Sequence, residues 1–594
     1  MSTATPGSLP VEPRLRLWPG VVLVVIQWAC LKVPGLVFPG TMAQFMFMFF
    51  GPIATTILFV VWWLFFSRAR WSDRGLGLGA AVALGAISWF FFHPSIGFMG
   101  LTMFAIPVVT TAWIGWLLLT SSLGQPVRRM GFAAVLVLAW IYPTLLRMDG
   151  VDGSFTANVN YRWQPTGEEL FLEEMAKKGP AEILATAPEA KPVIFQPGDW
   201  PGFRGPDRDS RLPGVRIATD WQQRKPKLLW KQRVGPGWSS FAVIGNRLYT
   251  QEQRDKEEAV LCYEADSGKE IWEHRDSARF AETVSGPGPR ATPTFYEGRI
   301  YSLGATGRLN CLDAASGKLV WTHDIVADSG AETPMWGLSS SPLVAKGIVT
   351  VFAGGPEGKS VLGYNASAGD LAWSAGAGKL SYGSTHLLRV GGVEAVMVPT
   401  EVGLTAFEPL TGKVVWQHDW ANPKGMPRVV QPSLVGDSDI LFGTVDNGMR
   451  RVRVLHQSEV WETNEIWTTK AIKPYFSDFV VHKDHAYGFD GIFFTCVDLA
   501  DGKAKWKARG YGSGQVLLLP DQELLLILSE KGEGALVQAS PETHKELCRM
   551  PMIKGKTWNH PVLAHGKLFV RNDEEAACYQ LNEEGTTTGS GAGK

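Results

Sequence analysis

CLDAASGKLVW, residues 311–321, decides the fold. Its pattern is apolar–x–acidic–x–x–(Ser/Thr)–Gly–(Lys/Asp)–x–x–Trp, and it recurs. CYEADSGKEIW ends at Trp272, GYNASAGDLAW at Trp373, AFEPLTGKVVW at Trp416 and CVDLADGKAKW at Trp506. Weaker copies end at Trp467 and Cys548, and an isolated Trp stands at Trp230. Successive copies lie between 39 and 52 residues apart. A strand-rich repeat of that period is one four-stranded blade of a β-propeller. The glycines at Gly268, Gly317, Gly369, Gly412 and Gly502 suit a hairpin turn that needs positive φ. The Trp is expected to pack between neighbouring blades as a large apolar spacer.

The last repeat, HPVLAHGKLFVRNDEEAACYQL, supplies three strands and no Trp strand. KLLWKQRV, around Trp230, has the Trp strand and lacks the other three. Together they complete one blade, which removes the exposed sheet edges and brings the count to eight. Cys262, Cys311, Cys496 and Cys578 occupy one slot of the repeat, where Gly363 and Ala406 stand elsewhere. The slot calls for a small buried residue, and a free thiol serves as one. Same-phase residues of different blades are too far apart for disulfides.

Upstream the chain changes character. Residues 1–150 are rich in Leu, Val, Phe, Trp and Met, with hydrophobic spans near 17–38, 42–66, 76–92, 96–120 and 130–146. Each approaches the ~17 to 25 residues needed to cross a bilayer as a helix. Arg14, Arg16, Arg68, Arg70, Arg74, Arg128 and Arg129 lie in loops on one side, whereas the turn near Pro94 has no Lys or Arg. The positive-inside rule then places the N-terminus in the cytoplasm and the propeller across the membrane. In a bacterium this is a multi-pass protein of the inner (cytoplasmic) membrane, with a periplasmic propeller and the lipid bilayer as a partner. The spans hold almost no ionisable residues, which argues against transport. With 57 basic and 57 acidic residues, the formal net charge of zero gives no pull toward nucleic acid.

The fold expected is an all-β eight-bladed β-propeller preceded by an α-helical transmembrane domain of about five helices. The boundaries read as an anchor over 1–147, a connector over 148–198, the propeller over 199–581 and a disordered Gly/Thr/Ser tail over 582–594. Within the connector, Thr166 to Lys178 forms an amphipathic helix, opened by a Thr166/Glu169 capping box.

Inner strands of a propeller line its central channel. Aligning the blades puts Ser240, Thr292, Ser341, Thr385, Gln431, Asp478, Gln515 and His560 in a ring, with Trp238, Arg290, Trp336, His386, Trp558 and Asn559 beside it. A polar channel with an Arg, an Asp, a His and tryptophans suits a flat anionic ligand. It equally suits water. Asp446-Asn447-Gly448 and Asp490-Gly491 read as turns, and no Cys/His spacing indicates zinc.

The repeats resemble the quinoprotein-type, pyrroloquinoline quinone (PQQ)-like β-propeller repeat, as in CLDAASGKLVW and CVDLADGKAKW. DWPGFRGPDRD, residues 199–209, is similar to the start of such proteins. The resemblance spans about 390 residues and implies two kinds of function. One is that of the BamB-type assembly proteins, in which the propeller is a scaffold for periplasmic or envelope proteins. The alternative is a membrane-bound PQQ-dependent dehydrogenase that uses PQQ and calcium, oxidises an alcohol or sugar and passes electrons to membrane quinone. The dehydrogenase reading places Arg290 on a quinone carboxylate, Trp336 in a stack and Asp478 as base. Thr292, Gln431, Asn559 and His560 complete its cofactor contacts. This chain has no adjacent Cys-Cys pair and no match to the family's calcium ligands. It also has no lipobox cysteine. The scaffold is therefore the expected function.

Overall fold

The computed structural model describes residues 15–178, 192–422, 425–458 and 460–581. The expected tail over 582–594 and most of the Pro/Ala-rich linker lie outside the described residues. The chain divides into two compact units, 1–164 and 165–594.

The first unit is helical: α1 (Trp18–Val37), α2 (Met42–Val61), α3 (Trp71–Trp89), α4 (Gly97–Gly100), α5 (Ile106–Leu119) and α6 (Gln125–Thr144). Wider π-turns continue α2 through Trp62–Phe66 and join α4 to α5 through Leu101–Ala105. Among the described residues, three helical spans and not five are long and apolar enough to cross a bilayer: Trp18–Val37, Met42–Phe66 and Gly97–Leu119. Two of the spans expected from sequence thus need correcting. α3 is diluted by glycines and opens with Asp73 and Arg74, and α6 opens with Gln125 and carries Arg128 and Arg129. Asp73 and Arg129 pair at 2.7 Å. A hairpin of β1 (Leu146–Val151) and β2 (Ala157–Tyr161) ends the unit.

One amide ties the three apolar spans together. Gln27 of α1 is buried, and its Nε2 donates to Thr56 Oγ1 of α2 at 3.0 Å. Its Oε1 accepts from Thr110 Oγ1 of α5 at 2.6 Å. A polar group buried among apolar helices must find its partner there, because apolar side chains offer none.

The second unit opens with α7 (Gly167–Lys178). Its capping box is complete: Thr166 N–H donates to Glu169 Oε2 at 2.7 Å, and Glu169 N–H to Thr166 Oγ1 at 3.0 Å. Glu168 pairs with Arg279 at 2.7 Å, Glu174 pairs with Arg233 at 3.0 Å, and buried Phe171 lies under the Arg254 guanidinium.

Eight four-stranded antiparallel sheets follow. Blades 1 to 7 span 242–276, 294–324, 343–375, 386–419, 433–469, 480–508 and 515–551. Blade 8 takes three strands from 562–580 and its outermost from β3 (Lys227–Arg233), which pairs with Glu575–Gln580. Eight blades closed by the two ends of the domain is the architecture expected from the repeats.

The motif's Trp and Gly act in pairs across blade seams. Each indole N–H donates to a turn carbonyl of the next blade: Trp230 to Ala265 at 2.8 Å, Trp272 to Ala314 at 3.2 Å, Trp321 to Ala366 at 3.0 Å and Trp373 to Pro409 at 3.1 Å. Each indole also lies on the next blade's glycine, so a Cβ at Gly412 would come within 2.4 Å of Trp373. The small slot has a related cause. Cys262, Cys311, Cys496 and Cys578 face the Trp of their own blade across the strand pair, as Gly363 faces Trp373. All six cysteines are free. The Trp–Gly pair is absent where the next blade offers no Gly turn. Cys548 replaces Trp at the seam with blade 8, whose last hairpin is split between the chain ends. Trp416 meets blade 5, where a long hairpin (Gly448–Gln457 with Val460–Thr469) replaces the Gly turn. There it packs with Ile440, Phe442 and Val452.

This predicts unequal costs for one substitution. Gly412 has φ +68° and no room for a methyl, so Gly412→Ala should destabilise by about 3 kcal/mol. Gly245 has φ +55° and open space around it, so Gly245→Ala should cost about 1 kcal/mol. Urea unfolding midpoints of the two variants test the difference.

Candidate functional site

The inner strand of each blade presents one free edge to the channel, and its backbone N–H groups need partners. The ring residues supply them across the seams. Ser240 N–H donates to Thr292 Oγ1, Thr292 N–H to Ser341 Oγ and Ser341 N–H to Ser384 Oγ, each at 2.9 Å. Gln431 Nε2 donates to the Thr385 carbonyl at 3.2 Å, and the Gln431 N–H faces the Asp478 carboxylate. Asp478 N–H donates to Gln515 Oε1 at 3.0 Å, and Gln515 Nε2 to the Trp558 carbonyl at 3.0 Å. Asn559 Nδ2 donates to the Ser239 carbonyl at 2.8 Å, and Ser240 Oγ to the His560 carbonyl at 2.7 Å. All eight seams are linked in one circle.

The segment before the propeller closes one end of this circle. Trp200 exchanges backbone hydrogen bonds with Val243 of blade 1. Pro201 O accepts from Phe295 N–H of blade 2, and Leu212 and Ser210 bond to Leu518 of blade 7. Asp199 Oδ1 accepts from Gly245 N–H and lies 2.7 Å from His565 Nε2. Two buried arginines reach the ring from this plug. Arg204 donates to the Phe479 carbonyl at 2.8 Å and faces Asp478 Oδ1 at 3.4 Å. Arg208 donates to the Ser341 and Pro342 carbonyls at 3.0 and 2.9 Å. Phe203 packs edge-on against the His560 ring.

Asp478 is thus enclosed, with its other oxygen 2.7 Å from His560 Nε2. Burial opposes its charge, but Arg204 and His560 outweigh burial and hold the carboxyl below its ordinary value. Arg290 is bound to its own loop. It donates to the Gly286 and Gly288 carbonyls, pairs with Glu282 at 3.5 Å and lies over the Phe280 ring. Burial pulls its guanidinium down to about 10.

Trp336 belongs to a different feature. Six rings from the segments leading into the inner strands touch in series: Trp238 with Trp558 at 5.0 Å, Trp558 with Phe476 at 4.6 Å and Phe476 with Tyr475 at 5.0 Å. Tyr475 reaches Trp336 at 6.0 Å, and Trp336 reaches Tyr382 at 5.0 Å. Tyr382 is buried and the others are half-buried, while neighbouring Met335 is 78% exposed. Lys556 Nζ sits 4.3 Å from the Trp558 ring centre and 5.1 Å from that of Trp238. This collar includes Tyr382, Tyr475 and Phe476, which the repeat alignment did not single out.

A family profile described as "Outer membrane protein assembly factor BamB" matches residues 217–302 and 256–508. The matched stretch falls within the propeller domain and ends with blade 6. The outer membrane protein assembly factor BamB of Burkholderia pseudomallei (strain K96243) is 22% identical to this chain over 364 residues, 58% of this chain and 88% of that protein. BamB from Moraxella catarrhalis aligns with 60% of this chain and 99% of its own, at 12% identity and a TM-score of 0.44. Quinohemoprotein alcohol dehydrogenase from Comamonas testosteroni aligns with 64% of this chain and 80% of its own, at 12% identity and a TM-score of 0.47.

Proposed function

We propose that this protein is a membrane-anchored binding scaffold whose PQQ-like propeller docks envelope proteins through the aromatic collar. The observation that carries the reading is the engagement of the channel residues. Thr292, Gln431, Asn559 and His560 bond to neighbouring blades or to Asp478, and Asp478 faces Arg204 of the plug. These side chains do not fit calcium-bound PQQ. Arg290 is held by its own loop, and among the described residues no three His, Cys, Asp or Glu side chains come together to hold a metal. A half-buried aromatic surface next to an exposed Met is what a protein partner covers. The similarity to an outer membrane assembly factor supports the same reading.

An odd number of crossings carries the chain to the side opposite its N-terminus. The arginines at 16, 68, 70 and 74 favour that N-terminus in the cytoplasm and the propeller in the periplasm, anchored in the inner membrane.

A photo-crosslinking amino acid at Met335, in the full chain in its own membrane, should yield a discrete protein adduct. Trp558→Ala should remove the adduct while leaving the propeller folded by circular dichroism. An adduct unaffected by Trp558→Ala would sink the collar as the docking surface. Isothermal titration of PQQ with calcium should give no heat. Tight one-to-one binding would instead favour the dehydrogenase, with Asp478 as base and electrons delivered to membrane quinone.

A further inference from the structure

The plug sends two arginines to the ring, and the ring answers with one carboxylate. Arg204 has Asp478 opposite it. Arg208 is buried, and among the described residues it has no ion pair. Its two terminal nitrogens donate to the Pro342 and Ser341 carbonyls, and its Nε–H has no hydrogen-bond partner there. The charged groups around it do not make up the balance. Arg204 repels it, and burial together with that repulsion lowers the Arg208 guanidinium to about 9. The Asp478 carboxylate is shared by Arg204 and His560. Asp209 accepts the Arg211 N–H at 3.0 Å, and burial pushes its carboxyl up, away from the charged form. Burial likewise lowers His386, beside the Asp207 carbonyl, to about 4.

A buried cation without a counter-charge is unfavourable, and the chain holds this one in place against its own backbone preference. Arg204, Arg208 and Ser210 all adopt left-handed conformations, with φ of 63°, 54° and 58°. Three such non-glycine residues within seven positions mark a segment fixed by its surroundings, and strain of this kind gathers at ligand clamps. Arg204 Nη1, at the ring, is likewise a buried donor without a hydrogen-bond partner among the described residues.

We propose that the junction of plug and ring is a binding site for a small monovalent anion, a halide or a carboxylate, held by the Arg208 Nε–H with Arg204 as the second cation. The site follows from the plug and stands apart from the scaffold reading, since it needs neither the collar nor the membrane.

Thermal unfolding of the full chain in detergent tests it, with sodium chloride, bromide or acetate titrated in. The wild-type midpoint should rise with the logarithm of anion concentration beyond the rise seen in Arg208→Gln, which supplies the baseline for general salt effects. The steeper of chloride and acetate identifies the halide or the carboxylate as ligand. Crystals grown in bromide should show an anomalous peak within hydrogen-bonding distance of Arg208 Nε. Arg208→Lys keeps the charge and lacks that N–H, so it provides a second comparison if the Gln variant does not fold. Equal salt responses in wild type and variant overturn the proposal, as does a bromide-grown crystal with only water beside Arg208.

Discussion

Asp478→Asn should destabilise the propeller by about 3 to 5 kcal/mol, the usual cost of removing one partner from a buried ion pair. The carboxylate is 3% exposed and faces Arg204 at 3.4 Å and His560 at 2.7 Å. An amide of the same shape would leave the Arg204 charge buried without its counterpart. The pH dependence has a definite sign. A folded carboxyl held below its unfolded value of about 3.9 stabilises fully above that value. The contribution disappears only as pH falls below about 4, through the folded value. Wild type should therefore lose this increment in acid, and the Asn variant should lack that limb of the curve. Replacing both residues, as Arg204→Met with Asp478→Leu, should cost less than the sum of the single changes. Urea unfolding between pH 3 and pH 7 measures all of this. A base in a dehydrogenase would behave in the opposite way: turnover would vanish while the unfolding midpoint stayed put.

Trp321→Ala should cost about 3 to 5 kcal/mol, because it opens a cavity at a blade seam as well as exposing apolar surface. The indole is 9% exposed, lies on Gly369 and donates to the Ala366 carbonyl at 3.0 Å. Trp321→Phe keeps most of the ring and loses the donor, and should cost roughly 1 kcal/mol beyond the lost area. Amide hydrogen exchange should speed up first at the facing strands of blades 2 and 3. Uniform acceleration around the ring would mean that the seam does not act as a local unit.

The propeller was legible because its determinants are close in sequence. Gly317 and Trp321 sit four positions apart, and the pair repeats with the blade. Blade 8 was legible because KLLWKQRV lacks what HPVLAHGKLFVRNDEEAACYQL supplies. Membrane crossings were harder, since apolar runs can be counted but glycine dilution in α3 and the arginines of α6 change what a run can do. Ring positions could be read from strand register, but their tasks could not. The Oγ of Ser341 serves an N–H 49 residues away in the previous blade. Arg204 reaches Phe479, 275 residues along the chain, so nothing local to DWPGFRGPDRDS shows that its arginines enter the channel. Tyr382, Tyr475 and Phe476 were missed because the collar depends on which segments converge in space.

The pairing of β3 with Glu575–Gln580 also sets an order of events during synthesis. Until the ribosome has released the final three strands, the nascent domain is an open arc with a bare sheet edge at its leading end. Such an edge attracts other chains, so the growing protein needs shielding for most of its synthesis. Once the clasp shuts, the balance reverses. Opening the ring means detaching a whole strand at once, which makes the finished protein slow to unravel and slow to yield to proteases.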